Sequence, residues 1–463
     1  MRTIIKSVQG TWARFRRDAR GNASIFFTIG TLAVVGGVGV AVDTSVAYNV
    51  RSQLAAAVDA AALAGARNYA SPTRDQDIQR FFDANFQSDY MGAVLEPLQI
   101  TPDDENRTIT VTAKATIPTF FMSALGTDYT DVAATAEATL SSRDVEVALV
   151  LDITGSMNTG SRIVDLRAAA IELVDIIVQD IQDPFYSKVS LVPYASGVNV
   201  GAYANQVRGI INAGTCTYPA APICEEYRFQ EAQNSTFKTY DVSTCVTERS
   251  GPHLSTDAAP NLAPLGTLYP PPGTYNPCPS ATIMPLTSNK TALTTAINAL
   301  TAAGSTAGQI GVAWGWYMVS PNFGYLWPAA NRPADYGAIT LGQEVLKVVI
   351  VMTDGEFNTI YHSGVNANNS LTPGSGGLSY KINQPGTNGS AFDQAEALCT
   401  AMKAQGVKVY TVGLELGAFP DAEAFVSNCA TDAEHVYLPD SGTELKQAFR
   451  DIAQQVSNLR ISM

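Results

Sequence analysis

Three oxygen-bearing side chains stand at alternate positions near residue 150 and could together bind a metal ion. They are Asp152, Thr154 and Ser156, a carboxylate followed by two hydroxyls, with Gly155 between the hydroxyls to let the chain turn. Small oxygen ligands of this kind suit a hard divalent cation. The spacing therefore predicts a divalent-cation site at this turn.

The elements on either side of the turn would place it at the edge of a parallel sheet. Residues 145–151 form a run of β-branched and aliphatic residues, which is typical of a strand buried on both faces. Residues 161–181 carry apolar side chains at helical spacing. Strand, oxygen-bearing loop and amphipathic helix predict the first unit of an α/β fold with a doubly wound, mostly parallel sheet. Such folds bind ligands at the carboxyl ends of their strands.

The pattern D-x-T-x-S after a buried strand resembles the metal-ion-dependent adhesion site of von Willebrand factor A domains. That family uses D-x-S-x-S, then a distant Thr and a distant Asp. Thr306 in AAGSTAGQIG, followed by Gly311, matches the family's threonine loop. Asp354 in VMTDGEFN, after the buried strand 348–352, matches its distant aspartate. Thr154 stands in place of the usual Ser and keeps the hydroxyl.

This resemblance implies an ion of Mg²⁺ size, or alternatively Mn²⁺ or Ca²⁺, held directly or through water. Its ligands would be Asp152, Thr154, Ser156, Thr306 and Asp354. One octahedral position would stay open for a carboxylate from a protein partner, which would give metal-dependent adhesion without turnover. The alternative is that these oxygens cap helix N-termini and hydrogen-bond one another with no metal.

Charge is unevenly distributed along the 463 residues, whose net charge is −13. Residues 1–20 hold six basic residues against one acidic residue, a net +5, so the remainder carries −18. An acidic body argues against nucleic-acid binding, which requires a basic surface. The length predicts more than one folded unit.

The uncharged segment 25–42 follows this basic head. Its 18 residues would span about 27 Å as a helix at about 1.5 Å per residue, just enough to cross a bilayer. The positive-inside rule then places residues 1–20 in the cytoplasm and the rest outside. A cleaved signal peptide is the alternative, since Ser45-x-Ala47 resembles a cleavage site. The long basic head and the unbroken helical pattern favour a retained single-pass anchor.

The sequence RGN before this helix, and LAAAVDAAALAGA within its continuation, resemble the N-terminal region of TadE/TadG-type proteins of the Flp (Tad) pilus assembly system. TadG-like members join such an anchor to a periplasmic von Willebrand A region. Pilin-like relatives carry a Glu five residues after their processing Gly. That position is Phe26 here, so prepilin-type cleavage is not expected.

The resemblance implies an assembly factor in the bacterial inner membrane, with its main domain in the periplasm and another pilus-assembly component as its protein partner. The alternative function is a surface adhesin or sensor that binds an external ligand through the same site. The oligomeric state and the identity of the partner stay open.

The expected organisation has four parts. They are a basic cytoplasmic head (1–20), a transmembrane helix and stalk (21–72), a small α+β unit (73–142) and a von Willebrand A domain (143–460) with insertions at 197–285 and 358–388. The stalk is expected because Leu54, Val58, Ala61 and Gly65 share one helix face, so that the helix would continue into solvent.

The six cysteines all follow the predicted membrane span, which fits an oxidising compartment. None has C-x-x-C spacing and no His lies near a pair, which argues against zinc binding. Six cysteines allow 15 connectivities. The preferred set is Cys216–Cys224, Cys245–Cys278 and Cys399–Cys429.

An enzyme is the least favoured class. His253, His362 and His435 lack the Ser or Cys neighbour and orienting carboxylate of a nucleophilic triad. No P-loop pattern is present in the sequence. We therefore expect no catalytic residues.

Overall fold

A computed structural model describes residues 21–67, 69, 71–103, 108–139, 143–220, 223–273, 276–340, 343–371 and 377–461. The predicted basic head, residues 1–20, lies outside the described residues. The chain divides into two compact units, Met1–Ser141 and Ser142–Met463.

The first unit is organised around one long helix, α1 (Gly21–Arg67). Its other main elements are α2 (Arg74–Asn85), β1 (Val94–Leu95), β2 (Gln99–Asp103), β3 (Thr108–Pro118) and β4 (Tyr129–Thr139). Strands β1, β2 and β4 all pair antiparallel with β3. Helix and strand thus both occur in the part of the chain for which an α+β unit was predicted.

The two halves of α1 lie in different surroundings. Along residues 25–42 most side chains are exposed, among them Phe26, Phe27 and Leu32. Within the part of the chain that the structure describes, α1 is the one helix long and apolar enough to cross a membrane. The second half instead buries Leu54 and Val58 in a core shared with the β3 residues. It is therefore packed within the first unit and does not stand free as the predicted stalk, because its apolar face needs a partner surface.

The second unit is a mixed α/β structure. Its helices are α3 (Arg162–Ile177), α4 (Ala204–Arg208), α5 (Lys290–Asn298), α6 (Gly308–Val319), α7 (Ala391–Ala404), α8 (Pro420–Cys429) and α9 (Gly442–Ile461). The strands of its main sheet are β5 (Val145–Asp152), β6 (Ser187–Tyr194), β7 (Val198–Asn199), β11 (Cys245–Thr247), β12 (Gly266–Thr267), β13 (Met284–Thr287), β16 (Leu346–Thr353), β19 (Lys408–Gly413) and β20 (Val436–Tyr437). Smaller sheets are formed by β8 (Asn212–Thr217), β9 (Cys224–Gln230) and β10 (Phe237–Asp241), by β14 (Ile339–Thr340) with β15 (Gln343–Glu344), and by β17 (Tyr361–His362) with β18 (Val365–Asn366).

The main sheet runs in the order β12-β11-β7-β6-β5-β16-β19-β20, with β13 also beside β6. Strands β6, β5, β16, β19 and β20 are parallel. Strands β7, β11, β12 and β13 are added antiparallel. The sheet is therefore mixed, with a parallel centre, and not mostly parallel as expected.

The central strands are largely apolar because each face of the sheet packs against helices, and the buried charges of β5 and β16, Glu146 and Lys347, pair with each other. Along β5, Val147 and Leu149 join a core with residues of α3 and α9, whereas Ala148 and Val150 join a second core with residues of α6. Successive side chains of a strand point to opposite faces, so a strand covered on both sides favours apolar residues at consecutive positions.

The region 197–285, predicted as an irregular insertion, contributes β7, β11 and β12 to one side of the main sheet. Its short strands, separated by Pro and Gly, gave no periodic signal. Within 358–388, β17 and β18 pair with each other, and residues 372–376 lie outside the described part. The disulfides Cys216–Cys224, Cys245–Cys278 and Cys399–Cys429 are all present, which confirms the predicted set.

Candidate metal centre

The two aspartates of the predicted site stand at the same edge of the main sheet. Asp152 is the last residue of β5, and Asp354 directly follows β16. Because Leu151 is the register partner of Met352 in this parallel pair, the two carboxylates emerge side by side. Both are almost fully buried, with exposed fractions of 0% and 1%.

Three donors hold the Asp152 carboxylate. Its Oδ1 accepts the Thr154 backbone N–H at 2.9 Å. Its Oδ2 accepts the hydroxyls of Tyr194 and Thr353, each at 3.0 Å. Tyr194 ends the neighbouring strand β6 and reaches Asp152 from the side. The orientation of Asp152 is therefore fixed by the turn that follows it and by the ends of the two neighbouring strands, β6 and β16.

The hydroxyls of the turn connect the two strand ends. Thr154 Oγ1 lies 2.9 Å from Ser156 Oγ, and Ser156 Oγ donates to Asp354 Oδ1 at 2.5 Å. Four of the five predicted ligands, Asp152, Thr154, Ser156 and Asp354, thus form one continuous hydrogen-bonded group. All the atoms of this group that face one another are oxygens, apart from the Thr154 N–H.

The loop that carries Thr306 lies beside this group but joins it through the backbone. Gly155 N–H donates to Gly304 O at 2.8 Å, and Ala303 N–H donates to Ile153 O at 2.9 Å. On its other side, Thr306 N–H donates to Asn358 Oδ1 at 2.9 Å. The structure therefore brings the loop of Thr306, the fifth predicted ligand, next to this group. Backbone hydrogen bonds of the loop, rather than the Thr306 hydroxyl, hold it there.

Gly311, the other residue noted in the threonine loop, explains how Tyr194 reaches Asp152. A Cβ atom at this position would lie 2.7 Å from the Tyr194 ring, closer than real side chains approach. The absence of a side chain in α6 lets the tyrosine lie flat against the helix. The glycine acts on the site through this contact.

A guanidinium partly compensates the negative charge. Arg162, in the first turn of α3, donates from Nη1 to Asp354 Oδ2 at 2.9 Å, and from Nη2 to the carboxylate of Glu415. Two carboxylates, Asp354 and Glu415, therefore share one guanidinium, and Asp152 has no basic partner among the described residues. The two aspartates are buried, whereas Ser156 and Glu415 are exposed at the mouth of the site.

Burial is the main reason that the pKa values of both aspartates are raised. Burial raises the pKa of Asp152 above its ordinary value, despite the hydrogen bonds from Thr154, Thr353 and Tyr194. Burial, and then the charge of Asp152, raise the pKa of Asp354 to about 7, although Ser156 and Arg162 act in the opposite direction. An additional cation would relieve both effects, since it would favour the charged carboxylates.

Residues 21–68 match the family described as "Putative Flp pilus-assembly TadE/G-like". The match covers α1 and does not reach the candidate metal centre. No curated protein matches the chain in sequence.

Among solved structures, the chain is similar to the vWF domain of the type V pili tip protein Mfa5 from Porphyromonas gingivalis, at 14% identity and a TM-score of 0.37, over 70% of this chain and 97% of that one. It is also similar to the pilus adhesin SpaC from Lactobacillus rhamnosus GG, at 11% identity and a TM-score of 0.35, over 80% of this chain and 35% of that one. The pilus adhesin RrgA from Streptococcus pneumoniae gives 12% identity and a TM-score of 0.35, over 78% and 49%. The chain thus spans about a third of SpaC and half of RrgA, and TM-scores below 0.5 support no conclusion about function.

The sequence analysis missed four residues that contact the site, namely Tyr194, Thr353, Arg162 and Glu415. Thr353 and Arg162 could have been noticed, because one directly precedes Asp354 and the other opens the helix after the D-x-T-x-S turn. Tyr194 and Glu415 gave no local signal, since only the strand order brings them here. Among the described residues, no group of three or more His, Cys, Asp or Glu side chains is arranged to hold a metal.

Proposed function

We propose that this chain is a membrane-anchored assembly factor of the Tad (Flp) pilus system. In this proposal its second unit is a von Willebrand A domain that binds a protein partner through a divalent cation. The family match at residues 21–68 and the apolar half of α1 support the pilus-assembly and anchoring roles. The observation that carries the binding role is the convergence of Asp152, Ser156 and Asp354 at one sheet edge.

The donors at this edge fit a hard cation. The proposed ligands are Asp152, Thr154, Ser156, Thr306 and Asp354, which supply only carboxylate and hydroxyl oxygens, the ligands that Mg²⁺ and Ca²⁺ prefer. A bound cation would offer an open coordination position to an acidic side chain of the partner. Tyr194 and Thr353 would keep Asp152 oriented, as they do in the structure.

Arg162 would set how readily the cation enters. Its guanidinium now neutralises part of the charge of Asp354, so a cation must share that carboxylate with it or displace it. Glu415 already accepts from the other nitrogen of the same guanidinium and can keep it paired. The alternative without a metal, in which the oxygens only hydrogen-bond one another, is the competing account that an experiment must exclude.

The proposed location follows from the charge pattern. The six basic residues before the apolar segment favour a cytoplasmic N-terminus and a periplasmic second unit in the bacterial inner membrane. The disulfides fit that compartment, because they persist where thiols are oxidised.

Calorimetric titration of the full chain in nanodiscs with Mg²⁺ or Mn²⁺ tests the metal site. We expect single-site binding that Asp152→Ala abolishes and that Asp421→Ala, an exposed aspartate of the same unit, leaves unchanged. Equal heats from the wild type and Asp152→Ala, or no heat from the wild type, would contradict the site.

The assembly role is tested in the native cells. We expect that deleting the gene, or replacing it with the Asp152→Ala form, prevents pilus formation, and that the Asp421→Ala form restores it. Normal pili in the deletion strain, with a defect only in binding to external surfaces, would instead indicate an adhesin or a sensor.

A further inference from the structure

The loop between β3 and β4, residues 119–128 (the β3–β4 loop), is unusually apolar for a segment at the protein surface. Its residues from Thr119 to Thr127 carry no charge. Phe120 and Leu125 are 73% and 72% exposed, and Phe121 is about half exposed. Connecting loops normally present polar residues to water, and clustered exposed apolar side chains mark a surface that another apolar phase covers.

The loop is fastened to α1 by a single buried carboxylate. Asp43 accepts the backbone N–H groups of Phe120, Phe121 and Met122 at 3.1, 2.9 and 2.7 Å. Asp43 is only 6% exposed, so the contact is closed to water. These three bonds define the position of the loop along the axis of α1.

A second contact places the loop at the end of the apolar segment of α1. A Cβ atom at Gly39 would lie 2.6 Å from Phe121 Cβ, so the absence of a side chain lets the phenylalanine lie directly on the helix. Gly39 precedes the last residue of the segment, Val42, by three positions. At about 1.5 Å per residue the contact lies about 5 Å inside the segment's end.

That depth corresponds to the boundary between lipid headgroups and acyl chains, where apolar side chains of peripheral segments insert about 5–10 Å. The side chains of α1 at this level, Val38 and Val42, are exposed in the structure as well. Helix and loop thus both expose apolar side chains at this level of α1, and a bilayer around the helix would reach the loop.

We propose that the β3–β4 loop is a second membrane contact, with Phe120 and Leu125 inserted into the surface of the same bilayer that α1 crosses. This inference rests on α1 spanning the membrane and is independent of the metal site. Two points of attachment, a helix and a loop, would fix the tilt and rotation of the first unit relative to the bilayer. A single helix leaves both free.

Spin labels on the full chain in phosphatidylcholine–phosphatidylglycerol vesicles test the proposal. Single cysteines would be introduced as Val34→Cys in the apolar segment, Phe120→Cys and Leu125→Cys in the loop, and Glu137→Cys on β4. Glu137 is exposed and lies eight residues beyond Tyr129, about 27 Å along the strand at about 3.4 Å per residue. Each label's accessibility to oxygen, which partitions into lipid, is compared with its accessibility to a water-soluble nickel complex.

We expect the labels at 120 and 125 to favour oxygen severalfold over the label at 137, though less than the label at 34. Labels at 120 and 125 that match the label at 137, while the label at 34 is embedded, would overturn the loop contact alone. Labels at 120 and 125 shielded from both reagents would show that a protein surface covers the loop and would also overturn it. A water-exposed label at 34 would overturn the membrane anchor itself and the loop contact with it.

Discussion

Two buried carboxylate sites in this molecule differ in the hydrogen-bond donors that stabilise their negative charge. In the first unit, Asp43 stands alone and receives three backbone N–H donors. In the second unit, Asp152 and Asp354 stand together and receive mainly hydroxyls, with one guanidinium for the pair. The backbone donors around Asp43 compensate its charge and attach the β3–β4 loop to α1. At the second site, two adjacent carboxylates leave negative charge that the surrounding donors do not fully compensate. Uncompensated buried charge of this kind marks a candidate binding site.

The largest expected effect concerns the uncompensated pair. Mg²⁺ at about 1,000 times its dissociation constant should raise the free energy of unfolding of the second unit by about 4.1 kcal/mol, and Asp354→Ala should abolish this gain. Thermal unfolding of the full chain with and without Mg²⁺ measures it. The difference between the two carboxylate sites would be contradicted if Mg²⁺ did not stabilise the wild type. It would also be contradicted if Asp43→Ala abolished the stabilisation by Mg²⁺ as completely as Asp354→Ala does.

Glu248 is a third buried carboxylate, and it receives fewer hydrogen-bond donors than Asp43 or Asp152. Its Oε1 accepts the Tyr361 N–H at 3.1 Å, and its Oε2, closed to solvent, has no hydrogen-bond partner among the described residues. Burial raises the pKa of Glu248 to about 7 from an ordinary value of 4.5. The folded state therefore holds a proton that the unfolded state has lost, so stability falls as the pH rises from about 4.5 to 7.

Glu248→Gln should remove the loss of stability that the wild type shows as the pH rises. If the variant and the wild type are matched near pH 4.5, the variant should be more stable by about 3 kcal/mol at pH 8. Denaturant unfolding across this range measures the difference, with the exposed Glu423→Gln as the control. Parallel stability curves for wild type and Glu248→Gln would show that the carboxylate is compensated after all.

Asp43→Ala should release the β3–β4 loop without unfolding the first unit, because the helix and sheet have their own core. Hydrogen exchange at the Phe120, Phe121 and Met122 amides should accelerate by about tenfold or more, since local opening would no longer break these bonds. The exposed Asp59→Ala on the same helix should change nothing. Unchanged exchange in Asp43→Ala would mean that packing alone holds the loop.

The smallest expected effect concerns Arg162. Arg162→Gln removes the positive charge beside Asp354, so Mg²⁺ affinity should rise about fivefold, a modest change because the side chain is partly exposed to screening solvent. Calorimetry measures the affinity. A fall in affinity would show that Arg162 organises the site instead of competing with the cation.

The parts of the fold that local patterns specify could be predicted from the sequence. The apolar runs of β5 and β16 located Asp152 and Asp354 correctly, because each aspartate comes directly at the end of an apolar run that is buried on both faces. Long-range pairing could not be predicted. Asp43 lies 79 positions before Met122 in the chain. The strands β7, β11 and β12, which region 197–285 adds to the main sheet, are two or three residues long, too short for any periodicity to show.

The candidate site was predictable in composition but not in detail. The D-x-T-x-S pattern and the distant Thr and Asp indicated the proposed ligands, and four of these five residues form one hydrogen-bonded group. Tyr194 and Glu415 depend on which strands and loops become neighbours, and the tyrosine's position also requires the glycine at 311. The residues that flank Tyr194 and Glu415 in the sequence therefore do not indicate that either side chain contacts the site.

The most direct test of the central claim is a crystal structure of the chain with Mn²⁺, located by its anomalous scattering. The account predicts one manganese ion about 2.1 Å from Ser156 Oγ, as for Mg²⁺ ligands, with Asp152, Thr306 and Asp354 around it directly or through water. A structure at saturating Mn²⁺ in which Ser156 still donates to Asp354, with no anomalous peak at this edge of the sheet, would contradict it.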